Sequence, residues 1–179
     1  MAYERQGRKG ESPRAADARG FTLVELMISL TILAILLGMA VPSFNNAVLG
    51  GKLSAFSSNL VASTQLARSE AIKRNEIVQV CSSSNGTSCG VSSGGWEAGW
   101  IVLLADNSVL QRQQPLTSEF RISQTGGVAT LNFPPSVIGA TTATFTVCRA
   151  TPVGKQNRVV TVTASGSTRV VMNTVTTCP

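Results

Sequence analysis

The hydrophobic pattern changes twice along the chain. From Phe21 to Val41 it reads FTLVELMISLTILAILLGMAV, an apolar run holding a single charge, Glu25. As a helix this run is about 31 Å long, enough to cross the hydrocarbon core of a bilayer. Proline at 42 removes a backbone donor and predicts a kink. Gly50-Gly51 is a second weak point, each glycine costing about 1 kcal/mol relative to alanine. Beyond it Leu53, Phe56, Leu60, Ala67 and Ala71 recur at helical spacing and predict an amphipathic continuation with one apolar stripe. Lys73 and Arg74 suit the negative end of a helix dipole, and Asn75 suits a stop.

From Glu76 onward the pattern becomes that of short strands. Glu76–Cys81, Trp100–Leu104, Val109–Gln113, Phe120–Ser123, Thr130–Phe133, Ala143–Cys148, Arg158–Thr163 and Arg169–Met172 are β-rich runs of suitable length. Gly126-Gly127, Pro134-Pro135, Pro152 with Gly154, and Ser165-Gly166 punctuate them, and Asp106-Asn107-Ser108 predicts a hairpin turn. A long helix whose stripe receives an antiparallel β-sheet makes the fold class α+β. The chain then divides into a polar segment at 1–20, an apolar helix at 21–42, its amphipathic extension at 43–75 and a β domain at 76–179.

Composition narrows the function. Histidine is absent from the 179 residues, which removes the commonest general base, the Ser-His and Cys-His nucleophile pairs and the usual zinc ligand. An enzyme is therefore not expected, nor a cofactor or a metal. Four cysteines, Cys81, Cys89, Cys148 and Cys178, have no CxxC spacing and suit two disulfides in an oxidising compartment. Three pairings are open to them. The favoured one joins Cys81 to Cys89, closing a Ser/Gly-rich loop, and Cys148 to Cys178, tying the C-terminal tail to a strand.

Charge adds orientation and a possible partner. Residues 1–20 carry five basic and three acidic side chains, which places that end on the cytoplasmic side of a membrane and everything after Pro42 on the other. A carboxylate within the apolar run costs about 2.5–3.5 kcal/mol near a helix centre. Glu25 sits one turn from the start, so it can reach the interface or wait for a positive group from a neighbour. The net charge is +6, and beyond Glu119 come Arg121, Arg149, Lys155, Arg158 and Arg169 with no acidic side chain among them. Such a segment suits phosphate contacts, with scattered solvent-facing basic residues as the plainer alternative.

Gly20-Phe21-Thr22-Leu23-Val24-Glu25, followed by the apolar run, resembles the processing motif of type IV pilins and type II secretion pseudopilins. The resemblance implies that residues 1–20 are a cytoplasmic leader, that a prepilin peptidase cuts between Gly20 and Phe21, and that Phe21 is then N-methylated. It makes Glu25 the partner of a neighbouring subunit's terminal amine, Pro42 the family's helix kink, and other pilins or pseudopilins the assembly partners. The rival reading is a secretory signal peptide with Gly38-Met39-Ala40 as its cleavage site.

Within that family, Leu66-Ala67-Arg68-Ser69-Glu70-Ala71-Ile72-Lys73-Arg74 is similar to the helix end of GspH/FimT minor pilins and pseudopilins. Gly95-Trp96-Glu97-Ala98-Gly99-Trp100 is similar to their Gly-Trp element. The two tryptophans are read as core residues rather than stacking platforms for bases. Arg68 and Glu70 could meet a neighbouring pilin or form a solvated flank. The implied function is that of a minor type IV pilin of FimT/FimU type, held in the inner membrane before assembly into the pilus or its tip. Two alternatives stand beside it, a GspH-like pseudopilin of a type II secretion system and a DNA-binding minor pilin. Some FimT-type pilins bind DNA through a Gly-Arg-x-Arg element, and Ser165-Gly166-Ser167-Thr168-Arg169 keeps the glycine and the last arginine with serine at the first. Arg149, Lys155, Arg158 and Arg169 are the candidate DNA contacts.

Overall fold

The computed structural model describes residues 20–90, 95–136, 138–150, 153–174 and 177–178, so the expected leader, Gly20 apart, lies outside the described residues. One helix, α1, spans Leu23–Arg74, and its helical backbone continues through Pro42. It ends where Asn75 takes a left-handed conformation (φ 56°) and the Glu76 N–H bonds back to the Ala71 carbonyl at 3.3 Å. That is a Schellman-type stop with asparagine in the place usually held by glycine. By internal contacts the chain divides between Ser43 and Phe44.

In the first unit every large apolar side chain from Phe21 to Met39 is exposed. The run is long and apolar enough to cross a membrane. Its hydroxyls are satisfied within the helix: Ser29 donates to the Glu25 carbonyl and Thr31 to the Met27 carbonyl, each at 2.7 Å. Such back-bonding is what makes serine and threonine tolerable in lipid.

The second unit holds the rest of α1 and the strands β1 (Val78–Ser82), β2 (Trp100–Leu103), β3 (Val109–Gln113), β4 (Phe120–Thr125), β5 (Thr130–Phe133), β6 (Ala143–Ala150), β7 (Val153–Val162) and β8 (Thr168–Thr174), with a 3-10 turn at Gly95–Ala98. The strands form two four-stranded antiparallel sheets rather than one, in the orders β3-β2-β1-β5 and β4-β6-β7-β8. The stripe read from the sequence is what both sheets pack on. Leu53, Leu60, Ala67 and Ala71 are buried in the main core, and Phe56 meets Phe120 edge-to-face at 5.1 Å. Between the large residues, Ser63 accepts from the Trp100 Nε1–H of the first sheet at 2.9 Å, and Thr64 shares a 2.8 Å bond with Thr168 of the second. The helix is thus bonded to both sheets through adjacent residues.

Strand limits differ from expectation most at β7, which begins at Val153 rather than Arg158. Gly154, read as punctuation, lies inside the strand. The β6–β7 register slips between Cys148 and Ala150, and a Cβ on Gly154 would stand 3.2 Å from that of Arg149. A glycine inside a strand commonly marks such a bulge and close approach.

Cys81 is bonded to Cys89 and Cys148 to Cys178, with Cα separations of 5.5 and 5.6 Å. The first closes a loop of sequence separation 8 and the second one of 30. In the chain-entropy account these contribute about 2.5 and about 3.5 kcal/mol. A Cys148→Ser/Cys178→Ser double variant is therefore expected to melt lower than Cys81→Ser/Cys89→Ser, and differential scanning calorimetry checks the order.

Candidate functional site

The N-terminal end of α1 is fixed by the sequence Thr-x-x-Glu. The Glu25 N–H donates to Thr22 Oγ1 at 3.2 Å, while Glu25 Oε2 accepts from the Thr22 N–H at 3.4 Å and from its hydroxyl at 3.3 Å. This is a capping box, two open backbone donors satisfied reciprocally. It starts the helix at Leu23 and leaves Gly20 and Phe21 ahead of it, both exposed, with Phe21 at 78%. A Cβ on Gly20 would meet nothing within 4 Å among the described residues. Among the described residues nothing gives a reason for glycine at 20. Thr22 is the residue that sequence reading missed here, although the Thr-x-x-Glu spacing was there to find.

The Gly-Trp element joins the two sheets. Trp96 is buried, donates its Nε1–H to the Val128 carbonyl at 2.9 Å, and stands edge-on to Phe145 of β6 at 4.8 Å. Trp100 is buried against Ser63. Between them Glu97 reaches the free edge of β4, accepting from the Ile122 N–H and the Arg121 guanidinium at 3.3 Å each. Gly99 lies at φ 103°, where a Cβ would collide with the Gln113 carbonyl oxygen. Both indoles lie in the interior, so neither offers a stacking face.

The helix end is equally committed. Arg68 donates to the Ser165 carbonyl in the β7–β8 turn, and its guanidinium fills the space that a Cβ on Gly166 would need. The glycine of the Gly166–Arg169 element thus serves that turn, whose φ of 74° it also permits. Glu70 pairs with Arg74 at 2.7 Å and Lys73 at 3.4 Å. The hydrogen bond from Arg74, with the Lys73 charge behind it, holds the Glu70 carboxyl below its ordinary value.

The candidate DNA contacts do not converge. Arg158 is paired with Met172, and Thr161 with Arg169, so Arg158 and Arg169 stand on opposite faces of the second sheet. Arg149 shares the helix-side face with Arg158, and both its terminal nitrogens reach Asn46 Oδ1 at 3.4 Å. Lys155 is on β7, its side chain outside what the structure describes. Among the described residues no group of three Cys, Asp or Glu side chains gathers as a metal site would require. The arrangement can receive a cation at Glu25 and present surfaces to other proteins.

Two family models match the chain. One, described as type II transport protein GspH, covers residues 57–166, and the other, a prokaryotic N-terminal methylation motif, covers residues 16–41. No curated protein matches the sequence. Among solved structures the fold is similar to the type IV minor pilin FimU of Pseudomonas aeruginosa in two crystal forms. One is 20% identical over 71% of this chain and 100% of that one, with a TM-score of 0.54. The other is 19% identical over 72% and 96%, with a TM-score of 0.55. The minor pseudopilin EpsH from the type 2 secretion system of Vibrio cholerae is 15% identical over 66% and 95%, with a TM-score of 0.48.

Proposed function

The chain belongs to the GspH family and carries the prokaryotic N-terminal methylation motif, and from that premise we propose that it is a minor type IV pilin. A prepilin peptidase removes residues 1–20, Phe21 is N-methylated, and the subunit waits in the inner membrane with its β domain on the periplasmic side. It then enters the filament, where Glu25 meets the terminal amine of a neighbour and the apolar helix packs among others. The carrying observation is the helix start. The Thr22–Glu25 capping box leaves Gly20-Phe21 exposed ahead of a helix whose large apolar side chains from Leu23 to Met39 are all exposed. Two disulfides brace the β domain, as suits a domain on the oxidising, periplasmic side of the membrane. The role is structural: without histidine no serine of this chain has the usual base partner.

Intact mass and N-terminal sequencing of the mature protein test the reading. A chain of residues 21–179 beginning with methyl-phenylalanine is expected, and a chain beginning at Val41 overturns it in favour of signal-peptide cleavage. Deleting the protein should reduce surface pili and leave type II secretion intact; the reverse pattern assigns it to the secretion apparatus.

The separation of Arg158 from Arg169 by the sheet speaks against the DNA-binding alternative, because one duplex backbone cannot touch both faces. The detergent-solubilised chain is expected to show no binding to duplex DNA at physiological salt, with fluorescence anisotropy as the measurement. A steep salt dependence that weakens on Arg169→Ala would restore the alternative.

A further inference from the structure

Gly50 and Gly51 lie inside α1, both exposed and neither in the left-handed region, and a Cβ on either would meet nothing within 4 Å. Alanine would fit at both positions and would hold the helix better. The described fold therefore gives no reason for this pair, yet its position is particular. Leu53, two residues on, is the first buried residue of the part of α1 that packs under the sheets. Before the glycines Phe44 and Val48 are exposed and Leu49 is only partly buried. One polar tie from that stretch to the β domain is the 3.4 Å reach of Arg149 to Asn46. The glycines sit where the helix leaves its support.

We propose that Gly50-Gly51 is a joint, at which α1 bends or opens by a turn as the subunit passes from the membrane into a filament. Glycine pairs are among the few causes of sharp helix bends, because two residues without side chains resist opening least. The joint lets the apolar part of the helix settle among its neighbours while the β domain turns to meet its own. This rests on the pilin reading above.

The test uses the full chain, in its own membrane and in detergent micelles. Amides of residues 50–54 in the parent are expected to exchange with solvent at least about tenfold faster than those around Leu60, and Gly50→Ala/Gly51→Ala to remove most of that difference. The same double variant, cut normally at Phe21, is expected to enter filaments at less than about one fifth of the parental level. Adding Lys52→Gly to it, at an exposed neighbouring position, should restore both fast exchange and incorporation. Parental amides at 50–54 as protected as those around Leu60 would overturn the joint, as would normal incorporation of the double variant. Failure of Lys52→Gly to rescue would also overturn it, since the glycines would then be needed for close approach of another helix. The N-terminus of the parent, read on the same samples, reports separately on the pilin reading.

Discussion

Glu25→Gln is expected to insert into the membrane and be cut before Phe21, yet to be absent from filaments. Glutamine keeps an oxygen where Glu25 Oε2 accepts from Thr22, so the capping box and the helix start survive. What it loses is the charge. In the unassembled subunit that loss is harmless or favourable, because an uncompensated carboxylate is costly in a membrane. In the filament proposed above the carboxylate would answer a neighbour's terminal amine, and removing one member of a buried pair costs about 3–5 kcal/mol because the other is left unpaired. A deficit of that size lowers incorporation by about a hundredfold or more. Immunoblots of sheared filaments against the membrane fraction measure it, with N-terminal mass confirming that processing was normal. Incorporation near the parental level would remove Glu25 from the assembly mechanism.

Gly99→Ala is expected to be the most damaging single methyl group in the β domain. The new Cβ would collide with a backbone oxygen, that of Gln113 on the neighbouring strand, and neither strand can retreat without breaking the pairing of β2 with β3. The φ of 103° adds its own strain. Together these are expected to cost about 4 kcal/mol or more, enough to leave the chain unfolded or degraded. Gly166→Ala provides the contrast. There the obstacle is the guanidinium end of Arg68, a side chain that can swing away, so the loss should be about 1–2 kcal/mol. Urea denaturation of the detergent-solubilised chain, followed by tryptophan fluorescence, measures both. A Gly99→Ala variant as stable as Gly166→Ala would show that the Gly-Trp element is not the rigid link described here.

The N-terminal methylation motif was legible because everything that defines it is local. Glycine, phenylalanine and glutamate lie within six consecutive residues, and the apolar run follows without interruption. The helix stripe was legible for the same reason, since Leu53, Leu60, Ala67 and Ala71 announce their face by spacing. Val109–Gln113 and Thr130–Phe133 also ended where their composition ended. What spacing does not carry is which strands pair. β1 takes β5 as its second neighbour while β4, between them in sequence, joins β6 in the other sheet. That choice depends on contacts across the core rather than on any one strand's residues. The opposition of Arg158 and Arg169 was hidden likewise, because the face of a strand residue follows from register, and register is a property of two strands together. Glu97 reads as an ordinary charge until its carboxylate is found on the edge of β4.

The bonding of one helix to two sheets gives the domain a particular way of bearing load. In the filament proposed above, tension carried along α1 would pass from the helix into the sheets. At Ser63 and Thr64 the helix is tied to both sheets by adjacent residues, through Trp100 to the first and Thr168 to the second, adding to the earlier ties of Asn46 and Phe56 to the second sheet and of Asn59 to the first. Arg68, one turn further on, anchors the β7–β8 turn to the same helix. The sheets therefore act in parallel rather than in series, so the strain on either falls as the other takes it up.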